Sequence, residues 1–261
     1  MMRLPLHDAR RDVRDIVVPL ITIVALLVVW ELAIRSGLVP NFLLPSPTQV
    51  AASLVEDAPL LFDHAISTFG EALLGLALGV SVGFVVAVIM DRFELVALAL
   101  NPLLTVSQTI PTVAVAPLLV LWFGYGMLPK VLLVALTTFF PIAISLVGGF
   151  RSVDPDLIDL MRTMRANEWQ IFWRVKLPTA AEEFFSGLRI SATYAIVGAV
   201  IAEWLGGFTG LGVYMTRVRK SFGYDRMFAS IVVISACSCL LMYAVNLLER
   251  LCLPWRRAER K

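Results

Sequence analysis

Side chains able to do chemistry are few in this chain, and most of them sit inside apolar runs. There are two histidines, His7 in the N-terminal tail and His64 in a hydrophilic stretch, so no histidine-rich metal cluster can be built. No Gly-x-Ser-x-Gly elbow presents a serine nucleophile, and no Gly-x-x-x-x-Gly-Lys-Ser/Thr loop cradles phosphates. The glycine-rich run at 206–212 lacks the following lysine and reads as a tight turn. What remains is Ser107, Gln108 and Thr109 beside Pro111, and Tyr194, Glu203 and Trp204 further on. Polar groups in such surroundings suit the lining of a solute pathway. A carboxylate in hydrocarbon is costly and is a functional candidate for that reason. Glu203 therefore has two readings, a pathway or gate residue and a structural ion pair with Arg217 or Arg219 near a helix end. No catalytic residue, metal, cofactor or nucleic-acid partner is expected.

The elements that must hold these residues follow from composition. The chain is 59% hydrophobic and 16% charged, against about 45–50% and about 25% for soluble domains. One compact core cannot absorb that excess, and lipid is the natural solvent for the rest. Six transmembrane helices are predicted, at 15–36, 70–90, 95–123, 130–150, 185–205 and 227–249, in one membrane domain over 1–261. The third contains Pro102, Pro111 and Pro117 and should be kinked or interrupted. The first follows an arginine-rich tail without a small-x-small cleavage site, so it reads as an uncleaved span. Cys237, Cys239 and Cys252 read as buried small hydrophobes.

Charge distribution orients the bundle. With the N-terminus in the cytoplasm, 15 Lys and Arg fall inside and 6 outside, as the positive-inside rule requires. Both termini are then cytoplasmic, residues 37–64 lie outside, and 151–178 form a cytoplasmic loop. In that loop Pro155 can open a helix whose Leu157, Leu160, Met161 and Met164 recur at helical spacing. Trp169, Phe172, Trp173 and Val175 give a second apolar face. A pair of short amphipathic helices results, lying on the membrane or docked into a partner's groove.

The same loop carries a resemblance. Residues 159–167, Asp-Leu-Met-Arg-Thr-Met-Arg-Ala-Asn, are followed by Leu177-Pro178, and this resembles the Glu-Ala-Ala loop of permeases in binding-protein-dependent ATP-binding-cassette importers. Leu44-Pro45-Ser46-Pro47, Ile110-Pro111 and Ala116-Pro117-Leu118 resemble the subfamily importing sulfonates, taurine, nitrate and pyrimidine precursors. The stretch 191–206 is similar to permeases for thiamine-precursor pyrimidines or riboflavin-like heterocycles. Two positions depart from the family pattern. Asp159-Leu160-Met161 replaces the Glu-Ala-Ala triplet, and Arg165 replaces the mid-motif glycine. Since arginine does not take positive φ as glycine does, the turn there is expected to differ. Arg165 either offers a charge to a partner or is an exposed arginine of a positive-inside loop.

The resemblance implies a type I importer permease, an all-α integral membrane protein of six helices with a coupling-helix loop in the bacterial inner membrane. It implies ATPase subunits on the loop, contacted by Leu157, Asp159, Leu160, Met161, Met164, Arg165, Ala166, Leu177 and Pro178. It also implies an extracytoplasmic solute-binding protein and a second permease subunit, taken as identical, within the lipid. ATP hydrolysis then belongs to a separate chain. The expected cargo is a flat heterocycle, with a sulfonate or nitrate as the alternative. A secondary transporter or channel would leave the loop unexplained and should show an inverted repeat, which is not evident.

Overall fold

The computed structural model describes residues 8–41 and 43–254. His7 and the charges Arg3, Arg256, Arg257, Arg260 and Lys261 lie outside the described residues. The order is α1 (Asp8–Arg35), α2 (Pro47–Glu56), α3 (Ala58–Arg92), α4 (Glu94–Ser107), α5 (Thr112–Phe123), α6 (Met127–Arg151), α7 (Pro155–Thr163) and α8 (Glu168–Ile171). A π-helical stretch, Phe172–Lys176, then leads into α9 (Leu177–Gly206), followed by α10 (Leu211–Lys220) and α11 (Tyr224–Cys252). Among the described residues, five helices are long and apolar enough to cross a membrane, or six if the bent pair α4–α5 forms one span.

The core is built on α6, which packs against α3 on one side and α9 on the other. Ala72, Leu76, Val134, Ile142, Leu146, Ala192 and Ile196 are sealed between them. Close approach depends on glycines every fourth residue on α3. A Cβ at Gly75, Gly79 or Gly83 would run into Val134, Thr138 or Ile142 of α6. Small residues at helical spacing let two backbones come together in this way. The outer surface carries exposed apolar residues such as Leu20, Ile21, Leu26, Leu98, Leu121 and Leu251, a surface matched to hydrocarbon rather than water. Helix α1 is the most peripheral span. Its Glu31 accepts from the Thr48 hydroxyl at 3.0 Å and the Thr48 N–H at 3.2 Å, and Trp30 meets Phe228 with ring centroids 6.0 Å apart.

Several sequence expectations are corrected. The second and fifth spans begin earlier than hydropathy suggested, at Ala58 and Leu177. His64 is not in a loop; it lies in α3 and is buried. Polar residues continue those helices because their partners are internal, which a hydropathy window cannot see. The second amphipathic run at 169–175 is not a separate short helix, since α8 and the π-helical stretch feed directly into α9. Pro178 has no N–H to offer, and the π-helical register, with the Leu177 N–H bonded to the Phe172 carbonyl, absorbs that irregularity. Cys239 and Cys252 are exposed, against the expectation, while Cys237 is half-buried and packs against the core.

The proline-rich third span is interrupted as expected. Helices α4 and α5 meet at 100° across Gln108–Pro111. Ser107, Gln108 and Thr109 donate their side-chain hydrogens to the carbonyls of Leu103, Leu104 and Val106, at 2.6, 3.4 and 2.7 Å. They satisfy carbonyls near the break, which membrane helices require.

The α3–α6 contact gives the first prediction. Gly79→Leu should lower the midpoint of thermal unfolding of the detergent-purified protein, because overpacking costs ~1–3 kcal/mol or more where backbones touch. Gly70→Leu, where a Cβ meets open space, is the control and should behave as wild type. Equal midpoints for both variants would show that the contact is not tight.

Candidate functional site

Two regions stand at opposite ends of the α3–α6–α9 core. The first is the loop 151–178. Asp154 caps α7 by accepting the Asp156 N–H at 2.9 Å, and Pro155 occupies the first turn, where a missing N–H costs nothing. Leu157, Leu160 and Met164 are exposed at 47%, 56% and 71%, while Met161 is half-buried. Asp159 is exposed, and Arg162 reaches it at 3.6 Å and Glu168 at 3.3 Å, tying α7 to the start of α8. Helix α8 has its own capping box from Asn167 and Gln170.

The turn between them shows how the backbone accommodates Arg165. Its φ is 59°, in the left-handed region. The Ala166 N–H bonds to the Met161 carbonyl at 3.0 Å and the Arg165 N–H to the Arg162 carbonyl at 2.9 Å. That pair of bonds is a Schellman motif with arginine at the position that favours glycine. The expectation of a differently shaped turn is therefore corrected: the glycine geometry is kept without the glycine, at a cost of ~1–2 kcal/mol. The offsetting contributions are the two caps and the Arg162 ion pairs. Leu177 and Pro178 stand at the start of α9, away from this turn.

The second region lies at the far end. Three successive N–H groups opening α10 have no partner within that helix, and side chains of α3 and α9 take all three. The Gly210 N–H donates to His64 Nδ1 at 2.9 Å, the Leu211 N–H to Thr68 Oγ1 at 2.8 Å, and the Gly212 N–H to Glu203 Oε2 at 2.5 Å. The Thr68 hydroxyl donates to Glu203 Oε1 at 2.7 Å. Lys130 of α6 donates to Glu71 Oε1 at 2.6 Å. Gly210 has φ 119° and lies against the Glu203 carboxylate, so a side chain there would meet both strain and collision. Beyond it, Tyr214 donates to Asp57 Oδ2 at 2.6 Å, and Arg226 holds the same oxygen at 3.2 Å. Burial and the Asp57 carboxylate push the Tyr214 phenol above its ordinary pKa, so it remains a donor.

The expected partners of Glu203 are thus corrected. It does not pair with Arg217, which donates to the Phe208 carbonyl at 2.8 Å. Its surroundings are Thr68, Glu71, Lys130 and the opening of α10. Glu203 is sealed at 2% exposure, while its neighbour Trp204 and the more distant Tyr194 are exposed. Tyr194 and Trp204 share an open stripe of α9 with Ile190 and Val197, at helical spacing, with Ile201 half-buried at its edge. Ser107, Gln108 and Thr109 sit elsewhere, at the α4–α5 break. Sequence reading missed Glu71, Lys130, Thr68 and His64. Glu71 and Lys130 fall at the starts of the predicted spans 70–90 and 130–150, where a charge reads as a boundary residue. Their opposite signs beside apolar runs were the available signal.

An all-α polytopic membrane subunit with a preformed exposed helix on a loop at one end is the class these features define. Residues 75–254 match the family described as binding-protein-dependent transport system inner membrane component. The formylaminopyrimidine transport permease protein ThiX of Halalkalibacterium halodurans is 37% identical, over 92% of this chain and 96% of that protein. The riboflavin transport system permease protein RibX of Chloroflexus aurantiacus is 35% identical, over 90% and 88%. In fold, a chain of the inward-facing MetNI methionine ABC transporter is similar with a TM-score of 0.56 and 19% identity, over 73% of this chain and 93% of that one. The chain belongs to the family of binding-protein-dependent transport system inner membrane components: it is the permease subunit of an ATP-binding-cassette importer, a multi-pass inner-membrane transport component and not an enzyme.

The left-handed turn generates a prediction. Arg165→Gly should slow amide hydrogen exchange across 165–167 and Arg165→Val should speed it, since left-handed φ costs ~1–2 kcal/mol for non-glycine residues and more for β-branched ones. Mass-resolved exchange on the purified protein checks the order. Identical exchange in all three would show that the turn is not held.

Proposed function

We propose that this permease works as a homodimer in the lipid bilayer, with both termini and the 151–178 loop in the cytoplasm. An ATPase subunit receives α7, and an extracytoplasmic binding protein delivers a flat, neutral or cationic heterocycle at the opposite end. The observation that carries the docking assignment is the exposed apolar row Leu157, Leu160 and Met164 on a capped helix. An apolar row at this spacing fits a groove. Asp159, Met161, Arg165 and Ala166 flank that row, and Leu177 and Pro178 transmit its movement into α9.

The cargo assignment draws on the two relatives named for formylaminopyrimidine and riboflavin transport. It also draws on the open α9 stripe, whose Tyr194 and Trp204 offer ring faces and whose Ile190 and Val197, with half-buried Ile201 at the edge, are apolar. None of these five carries a positive charge. Arg189, the nearest cation of α9, is bonded to Glu249. An anionic sulfonate or nitrate would call for free cations or helix N-termini along the path.

Leu160→Arg should abolish co-purification of the ATPase while leaving the permease in the membrane, because an unpaired charge forced into an apolar groove costs several kcal/mol. Since such ATPases are cytoplasmic, the same assay tests which side the loop faces. Unchanged assembly would remove α7 from the interface. For the cargo, cells expressing permease, ATPase and binding protein should take up labelled aminopyrimidine precursor or riboflavin in competition with taurine and nitrate. ATP-dependent uptake of taurine or nitrate alone would overturn the heterocycle assignment and leave the permease intact.

A further inference from the structure

The charges sealed at the α10 end do not balance. Glu71, Glu203 and Lys130 are exposed at 4%, 2% and 4%. Two carboxylates therefore share one ammonium, all three side chains being almost wholly withdrawn from solvent. Lys130 is committed to Glu71 Oε1 at 2.6 Å and lies 3.5 Å from the Thr209 carbonyl. Glu203 receives the Thr68 hydroxyl and the Gly212 N–H. Glu71 Oε2 is buried and no donor among the described residues reaches it, and the Glu203 carboxyl group lies within hydrogen-bonding reach of Glu71.

Two ionised carboxylates at that range are two acceptors with no donor to share between them. They are also two like charges in a medium that screens little. A buried acceptor left unsatisfied is itself expensive. One proton removes all three faults: it supplies the missing donor, joins the two carboxyl groups and brings the cluster to neutrality with Lys130.

The remaining neighbours do not do this. His64 Nδ1 accepts the Gly210 N–H, so that nitrogen has no proton to give. The Arg217 guanidinium donates to Phe208. Asp63 is exposed and of the wrong sign. The opening amides of α10 favour negative charge on Glu203, but they do not donate to Glu71 Oε2.

We propose that Glu71 and Glu203 form a proton-binding site, holding one proton between them, and that this proton completes the clasp joining α3, α6, α9 and the opening of α10. The proton belongs to the pair rather than to either residue. Its departure would set the two carboxylates against each other. The turn before α10 would yield first, because it borders a cavity of about 300 Å³ lined by Ser67, Glu71, Gly126, Lys130 and Phe208. The clasp is thereby a latch at the end of the permease opposite the 151–178 loop.

Infrared spectroscopy of the reconstituted full-length permease in complex with its ATPase tests the site. A hydrogen-bonded carboxylic-acid carbonyl band, shifted in deuterium oxide, should be present in wild type. It should be lost in both Glu71→Gln and Glu203→Gln, because either variant leaves one carboxylate balanced by Lys130. If one variant fails to assemble, the other still decides. Absence of the band in wild type, or undiminished intensity in a folded variant, overturns the proposal.

Discussion

The architecture depends on how closely α3 and α6 approach. Association of helices in lipid gains nothing from burying apolar surface, so it must come from packing and from polar contacts. Glycines at 75, 79 and 83 remove the side chains that would hold the helices apart. Once the backbones touch, α6 has little freedom to slide or roll, and α9 closes on its other side through Ala192, Ala195, Ile196 and Ala199. Ser191 ties the two further by donating to the Thr138 carbonyl at 2.8 Å. A rigid unit of three helices results, and the two candidate regions are its ends.

That rigidity makes sealed charges tolerable. An isolated ion in a membrane interior draws in water or distorts the bilayer. Here Glu71, Lys130 and Glu203 come from three different helices, and each is shielded by the other two and by the opening of α10. The cluster thus makes a demand on the packing: the three helices must meet at one height for their polar groups to find partners. At the other end Lys176 holds Asp91 at 2.8 Å, joining the start of α9 to the end of α3. Polar fasteners at both ends and an apolar seam between them leave sliding along the seam unfavourable.

Much of this was legible in the sequence, and the unreadable parts have physical causes. Six apolar stretches, a proline-broken third one, and a loop helix at Leu157–Met164 all follow from composition and periodicity. Where helices begin did not follow. Hydropathy marks where lipid contact starts, whereas α3 and α9 begin earlier on residues whose polarity is answered inside the protein. His64 and Glu71 look like loop or boundary residues until their partners, 146 and 59 positions away, are known. The exposure of Cys239 and Cys252 was unreadable for the converse reason. In lipid the apolar face turns outward, so burial cannot be inferred from hydrophobicity as it is in water. Arg165 shows a third limit: propensity marked the turn as altered, but local hydrogen bonds outweighed propensity.

The α7 turn also bears on how a permease can be coupled to a partner. A helix of nine residues is too short to be stable alone, since nucleation costs more than so few hydrogen bonds return. Its apolar row is exposed, so burial within this chain does not stabilise it either. What holds it is local: the Asp154 cap, Pro155 in the first turn, the Schellman bonds through Arg165 and the Arg162 pairs with Asp159 and Glu168. A helix held this way exists before any partner arrives, and docking then costs little ordering entropy. Its stiffness matters as much as its existence. It is joined to α6 through Ser152–Asp154 on one side, and on the other to α9 through a continuous helical path from Glu168. A force applied to α7 is delivered to the two helices that flank the core seam, with little slack for a flexible loop to absorb.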